Sequence, residues 1–126
     1  YYILKSLKKN LQISILIFSS IAGIRGRSFN YLYGASKSAL IEYLSGLRQK
    51  YSKKIYIMTI IPGYIKTKSL PKEKINSFLA ISCEKMANLL YKSYKKKKEI
   101  LYSPYWFFIS IILRLIPEKI FKRLRF

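Results

Sequence analysis

The stretch that most constrains this sequence is a short, β-branched run, Ile13-Ser14-Ile15-Leu16-Ile17-Phe18, which stops at Ser19-Ser20. A run of that length bounded by small residues suits a strand buried on both faces of a parallel sheet. A loop with Gly23 and Gly26 follows, then a helical pattern from about Tyr31 to Tyr51, then a second apolar run from Ile55 to Ile61. Strand, helix and strand at this spacing predict a right-handed crossover unit of an α/β fold.

The helix opens with Tyr33-Gly34-Ala35-Ser36-Lys37. A tyrosine and a lysine four residues apart project from one helical face, close enough to share a ligand. Ser20, ending the preceding strand, can meet them at the carboxyl edge of the sheet, where open α/β folds place their sites. An ordinary surface tyrosine–lysine pair has the same spacing, and Ser19 competes with Ser20 for the strand-end role. The surroundings add more: paired serines, Gly23, Ala35-Ser36 inside the Tyr-x-x-x-Lys motif, thirteen residues from Ser20 to Tyr33, and Pro62-Gly63 after the second run. Together these resemble the active site of the short-chain dehydrogenase/reductases, closely over Tyr1 to Thr67 and more loosely to Ser103.

The resemblance implies a Rossmann-type doubly wound parallel sheet, of which residues 1–103 would be the C-terminal half; residues 104–126 read as an amphipathic, basic-apolar helical tail. The family's phosphate-binding glycine loop and active-site asparagine would precede Tyr1, which leaves NAD and NADP undecided as the cofactor. It implies catalytic roles for Ser20, Tyr33 and Lys37, with Ser20 favoured over Ser19 by spacing. Reducing a ketone with hydride leaves negative charge on oxygen, so a proton donor must act as the charge develops. A free tyrosine has a pKa of about 10 and exchanges protons poorly at neutral pH. The Lys37 ammonium one turn away would favour the phenolate and lower that value, and Lys37 and Tyr33 would also be cofactor-binding, with Lys37 on the ribose. The Pro62-Gly63 turn would approach the nicotinamide, the main chain near Ile65 would meet its carboxamide, and Thr67 would add a hydroxyl. Read without the upstream motif, Pro62-Gly63 is an ordinary turn. Residues 68–81 correspond to the family's substrate loop.

Elsewhere, residues 1–9 pattern as the end of a helix, with Ile3, Leu4 and Leu7 on one face. Arg25 and Arg27 read as solvated loop residues, with a substrate-phosphate role for either as the alternative. Ala35, Ala39, Leu40, Tyr43, Leu44 and Leu47 form the apolar stripe of the long helix. This surface exceeds what one sheet face needs, and family members commonly pair this helix with its copy, so a homodimer or oligomer is expected, with a helix covered by its own chain as the alternative. Ser82 followed by Glu84 and Lys85 marks a helix start, and Glu99 to Ser103 reads as a short final strand ended by Pro104.

Composition excludes several classes. The sequence has no histidine and one cysteine, Cys83, so a Ser-His-Asp or Cys-His nucleophile, a disulfide framework and a Cys/His zinc site are all ruled out for this segment. The formal charge of +20 suits nucleic acid or an anionic membrane, although lysine is abundant in nearly every segment. Aromatics interleaved with lysines also suit a non-catalytic single-strand binding module; the intact Ser-Tyr-Lys set argues for an enzyme without a nucleic-acid partner.

The tail is distinctive. Tyr105 to Ile116 is largely apolar but shorter than the about 20 residues a spanning helix needs, and cations flank it at Lys95–Lys98 and at Lys119, Lys122, Arg123 and Arg125. That arrangement suits a cytoplasmic protein with a peripheral helix at the inner face of the cytoplasmic membrane; the alternative is a C-terminal helix packed against the domain's own core or a dimer partner. The ending resembles a membrane-associated subgroup that includes the decaprenylphospho-β-D-erythro-pentofuranosid-2-ulose 2-reductases. The implied substrate is a carbonyl or alcohol, either a keto-sugar on a polyprenyl phosphate or another lipid-linked ketone of 3-ketoacyl or 3-ketosphinganine type.

Overall fold

The computed structural model describes residues 13–67 and 77–124. The helix expected at 1–9 and most of the 68–81 stretch lie outside the described residues. In chain order come β1 (Ile13–Phe18), a 3-10 turn (Ile21–Gly23), α1 (Tyr31–Tyr51), β2 (Ile55–Ile61), β3 (Tyr64–Lys66), a second 3-10 turn (Ser77–Leu79) and β4 (Ala80–Ser82). They are followed by α2 (Cys83–Lys95), β5 (Ile100–Tyr102), α3 (Trp106–Leu115) and α4 (Glu118–Phe121).

A parallel sheet with strand order β1-β2-β5 organises the fold. Ile13 to Phe18 run alongside Ile55 to Ile60, and Thr59 to Ile61 alongside Ile100 to Tyr102. β2 is central, and Ile57 through Ile61 are each at most 1% exposed. Its alternation divides the core between two faces. Ile55 and Ile57 pack with Leu44 and with Leu40, Leu47 and Tyr51 of α1. Met58 and Ile60 pack with Leu101 and with Met86, Leu89 and Leu90 of α2. Helices on both faces of a parallel sheet are the doubly wound arrangement expected from sequence. Thr59 is a polar residue inside this strand, and Arg48 of α1 donates to its hydroxyl at 2.5 Å. Ser82 caps α2 by accepting from the Lys85 N–H at 3.2 Å, as its position predicts.

Three features depart from the sequence reading. α1 turns Gly34, Ile41 and Leu44 inward, while Ala35, Ala39 and Tyr43 of the expected stripe are exposed. β3 and β4 form a separate parallel ribbon, Tyr64–Lys66 beside Ala80–Ser82, where only a turn and a loop are expected. Its Ile65 and Ile81 side chains join the α2 side of the core. In the tail, apolar and basic residues separate along the chain rather than around one helix. α3 is apolar on both faces, burying Trp106 and exposing Phe107, Phe108, Ile111, Ile112 and Leu115. Its buried Ser110 hydroxyl donates to the Phe107 carbonyl one turn back, at 2.6 Å. Arg114, Lys119, Lys122 and Arg123 then cluster exposed at the far end.

Candidate active site

Two glycines lay the loop after β1 flush against α1. Neither has a positive φ, so what each requires is space rather than conformational freedom. A methyl group on Gly23 would stand 2.7 Å from the Lys37 carbonyl carbon and 2.8 Å from the Ser38 nitrogen, and one on Gly34 would stand 2.9 Å from the Ala22 oxygen. Buried Ser19 reinforces the contact, donating its hydroxyl to the Lys37 carbonyl at 2.9 Å. On the other side, the Ile21 N–H donates to the Pro62 carbonyl at 2.9 Å. The short turn is thereby wedged between the first helical turns of α1 and the end of β2.

This packing divides the two serines by role. Ser19 is a pin. Ser20 accepts the Ala22 N–H at 3.1 Å, which caps the 3-10 turn and leaves its own proton to donate. Tyr33 is 50% exposed at the start of α1. The Lys37 ammonium lies 3.2 Å from the Phe18 carbonyl, the last of β1, and 5.7 Å from the centre of the Tyr33 ring. Ser20, Tyr33 and Lys37 thus lie at the carboxyl edge of the sheet, with a cation between the strand end and the phenol.

The Pro62-Gly63 turn follows β2 at the same edge. The missing side chain of Gly63 makes room for Trp106, whose indole lies 2.0 Å from where a Cβ would be. The Gly63 N–H donates to the Ser103 hydroxyl at 2.9 Å. Trp106, 5% exposed, donates its indole N–H to the Leu79 carbonyl at 2.9 Å and meets the Tyr64 ring edge-on. Trp106 therefore clamps the turn and both described stems of the segment between Thr67 and Ser77. Ile65 lies in β3 with its side chain in the core, and exposed Thr67 is the last described residue before that segment.

Sequence reasoning missed Trp106 and Ser103 as parts of this edge, because a tryptophan beside Phe107 and Phe108 reads as part of an apolar tail. It also missed Arg25, whose side chain is 15% exposed rather than solvated.

A family model described as short chain dehydrogenase matches residues 2–77. Over 114 residues the chain is 27% identical to an uncharacterized oxidoreductase of Mycobacterium tuberculosis, a match covering 88% of this chain and 45% of that protein. Over 108 residues it is 35% identical to hydroxysteroid 11-beta-dehydrogenase 1-like protein A of Xenopus laevis, covering 82% of this chain and 37% of that protein. Among solved structures it is similar to a bulky-bulky ketone specific alcohol dehydrogenase from Comamonas testosteroni, with a TM-score of 0.59 and 18% identity over 89% of this chain and 43% of that one. It is also similar to a short-chain dehydrogenase from Sphingobium yanoikuyae in complex with NADPH, with a TM-score of 0.61 and 16% identity over 89% of this chain and 46% of that one. At these identities the structural likenesses concern the fold. The chain spans less than half the length of each of these proteins.

Proposed function

The chain belongs to the short chain dehydrogenase family, and from that premise we propose that it serves an NAD(P)-dependent oxidoreductase acting on a lipid-linked carbonyl or alcohol. The observation that carries the reading is the cation–phenol pair of Lys37 and Tyr33 at the carboxyl edge, beside a serine whose proton is available.

The donor set fits a nicotinamide nucleotide. The Lys37 ammonium suits ribose hydroxyls next to Tyr33. The Pro62-Gly63 turn, the Ile65 main chain and the exposed Thr67 hydroxyl suit the nicotinamide end. Gly63 acts there through the turn, since its N–H and its open face are taken by Ser103 and Trp106. When bound, the reduced nicotinamide supplies hydride to the carbonyl carbon. The protein's part is at the oxygen. Ser20 donates a hydrogen bond to it, and Tyr33 releases its phenolic proton as the carbonyl π electrons collect there. The ammonium of Lys37, 5.7 Å from the centre of the Tyr33 ring, faces the negative charge that remains. In the oxidising direction the phenolate takes the alcohol proton back.

The tail supports a lipid-borne substrate. No helix among the described residues is long and apolar enough to cross a membrane. α3 nevertheless presents Phe107, Phe108, Ile111, Ile112 and Leu115 outward, with Phe108 at 67% and Leu115 at 74% exposed. Exposed Arg114, Lys119, Lys122 and Arg123 adjoin them, and the nearby carboxylate, Glu118, is paired with Arg25. Apolar side chains beside cations with no carboxylate partner among the described residues match an anionic lipid surface, such as the inner face of a cytoplasmic membrane. A ketone on a polyprenyl or acyl carrier would be met there, and a keto-sugar on polyprenyl phosphate is the substrate we favour. The outward face of α1, with Leu32, Ala35, Ala39 and Tyr43 exposed, would meet a second copy of the chain.

The test uses the intact protein, a lipid-linked ketone and anionic vesicles. Lys37→Ala is expected to lose cofactor binding and turnover together, and retention of both contradicts the site. A Phe108→Glu, Ile112→Glu variant is expected to stay in the supernatant while the parent pellets with vesicles. Equal pelleting of the two contradicts lipid docking through α3. Truncation after Pro104 is the poorer test, because it also removes Trp106 from the site.

A further inference from the structure

Arg25 sits five residues after Ser20, on the loop that the 3-10 turn opens, and its side chain reaches across to the tail. One guanidinium nitrogen donates to the Leu113 carbonyl at 2.5 Å and also to the Ile116 carbonyl. The other meets the Glu118 carboxylate at 2.8 Å. The guanidinium carbon lies 3.9 Å from the centre of the buried Phe121 ring. Carbonyls at the end of a helix lack intrahelical partners and carry its negative pole. A planar fork bearing a fixed positive charge reaches two of these carbonyls from one nitrogen and the Glu118 carboxylate from the other while stacking on Phe121, a combination that the compact ammonium of a lysine does not reproduce.

The opposite end of the same helix is held at the other loop of the site. Trp106, its first residue, lies on Gly63 and belongs to one buried cluster with Ile21, Ile41 and Ile61, against which Ile24 and Ile109 also pack. α3 therefore joins the Ser20 loop to the Pro62-Gly63 turn, with Arg25 as the fastening at one end and Trp106 at the other. Between Arg25 and Ser20 there is a single tight turn, closed by the Gly23 N–H to the Ser20 carbonyl at 3.0 Å and the Ile24 N–H to the Ile21 carbonyl at 3.1 Å. That turn has little slack, because Gly23 is already pressed on the Lys37–Ser38 backbone.

We propose that Arg25 is a positioning residue for the oxidoreductase reaction: by capping the C-terminal end of α3 it fixes the turn that aims Ser20, and it makes the tail helix a structural part of the active site. The inference rests on the proposed reading of Ser20, Tyr33 and Lys37 for its catalytic consequence, but the mechanical coupling it describes is independent of that reading.

The experiment compares the intact protein with Arg25→Gln, Arg25→Lys and Phe121→Leu, by steady-state kinetics and by hydrogen exchange. Arg25→Gln is expected to lower kcat on the order of tenfold through misplacement of Ser20, with the affinity for NAD(P)H unchanged. Amides of Ala22, Gly23 and α3 are expected to lose protection together. Arg25→Lys should resemble Arg25→Gln, because an ammonium lacks the fork. Phe121→Leu keeps a branched apolar side chain in place and removes the ring under the guanidinium, a milder change than loss of Arg25, and should show the same joint loss in milder form. Parent-like kcat in Arg25→Gln, full activity in Arg25→Lys, or exchange rising in α3 while Ala22 and Gly23 stay protected would each overturn the proposal. A parent protein that turns over no ketone fails the oxidoreductase reading instead, and the exchange arm then decides the coupling alone.

Discussion

Replacing Gly23 with alanine tests how closely the Ser20 loop must lie on α1. The new methyl would stand 2.7 Å from the Lys37 carbonyl carbon, where ordinary contact begins at 3.4 Å, so loop and helix must part by about 0.7 Å. All three nearest atoms are backbone, at Lys37 and Ser38, so no side chain can swing aside. Overpacking of this kind typically costs about 1–3 kcal/mol. Gly46 on the same helix is the control, since a methyl there meets nothing within 4 Å. Gly46→Ala should gain roughly 0.5–1 kcal/mol from helix propensity. Urea denaturation of the two variants should therefore move in opposite directions from the parent. Displacing Ser20 should also lower kcat of Gly23→Ala on the order of tenfold, given that a misplacement near 1 Å costs about a hundredfold, while Gly46→Ala keeps the parent rate. A Gly23→Ala protein as stable and as active as Gly46→Ala would refute the close-packing argument.

Other consequences can be measured with the same variants' methods. Trp106→Ala should cost about 3–5 kcal/mol as a buried aromatic truncation, and limited proteolysis should then cut between Thr67 and Ser77 faster than in the parent. Thr59→Val takes away the acceptor that Arg48 reaches at 2.5 Å, and loss of a bond to a charged group should cost about 1.5–3 kcal/mol in urea. Burial raises the Tyr56 phenol above its ordinary value of 10.0, with Tyr94 and Glu99 adding to the shift. The folded state thus favours the protonated form, so this contribution to stability is full below pH 10 and is lost as the pH climbs past it. Tyr56→Phe should flatten that part of the alkaline stability curve. Ser20→Ala should lower kcat on the order of a hundredfold, the usual scale for one oxyanion donor.

Much of this molecule is legible in its sequence because its principal elements are long and periodic. The six residues of β1, the seven of β2 and the 21 of α1 carry a period or a run that only one environment accommodates. The β3–β4 ribbon is not legible: three-residue strands are too short to show alternation. The inward face of α1 escapes a hydrophobicity argument for a different reason. It is chosen partly for smallness at Gly34 and partly for reach at Arg48, which crosses the face to satisfy Thr59. Arg25 reads as solvated because nothing local announces a partner nearly ninety residues away. Trp106 reads as an aromatic of the apolar tail, and only the space above Gly63 shows that it belongs to the site. For Arg25 and Trp106 what sequence hides is a contact between distant segments, whereas the Ser-Tyr-Lys set is visible because it forms a recognisable motif.

The most direct test of the account is Tyr33→Phe in the intact protein, assayed for ketone-dependent oxidation of NAD(P)H and separately for cofactor binding. Removing the phenolic proton while keeping the ring is predicted to abolish turnover and leave cofactor binding in place, because Lys37 is untouched. Near-normal turnover by Tyr33→Phe would contradict the assignment of Tyr33 as the proton donor and, with it, the proposed mechanism.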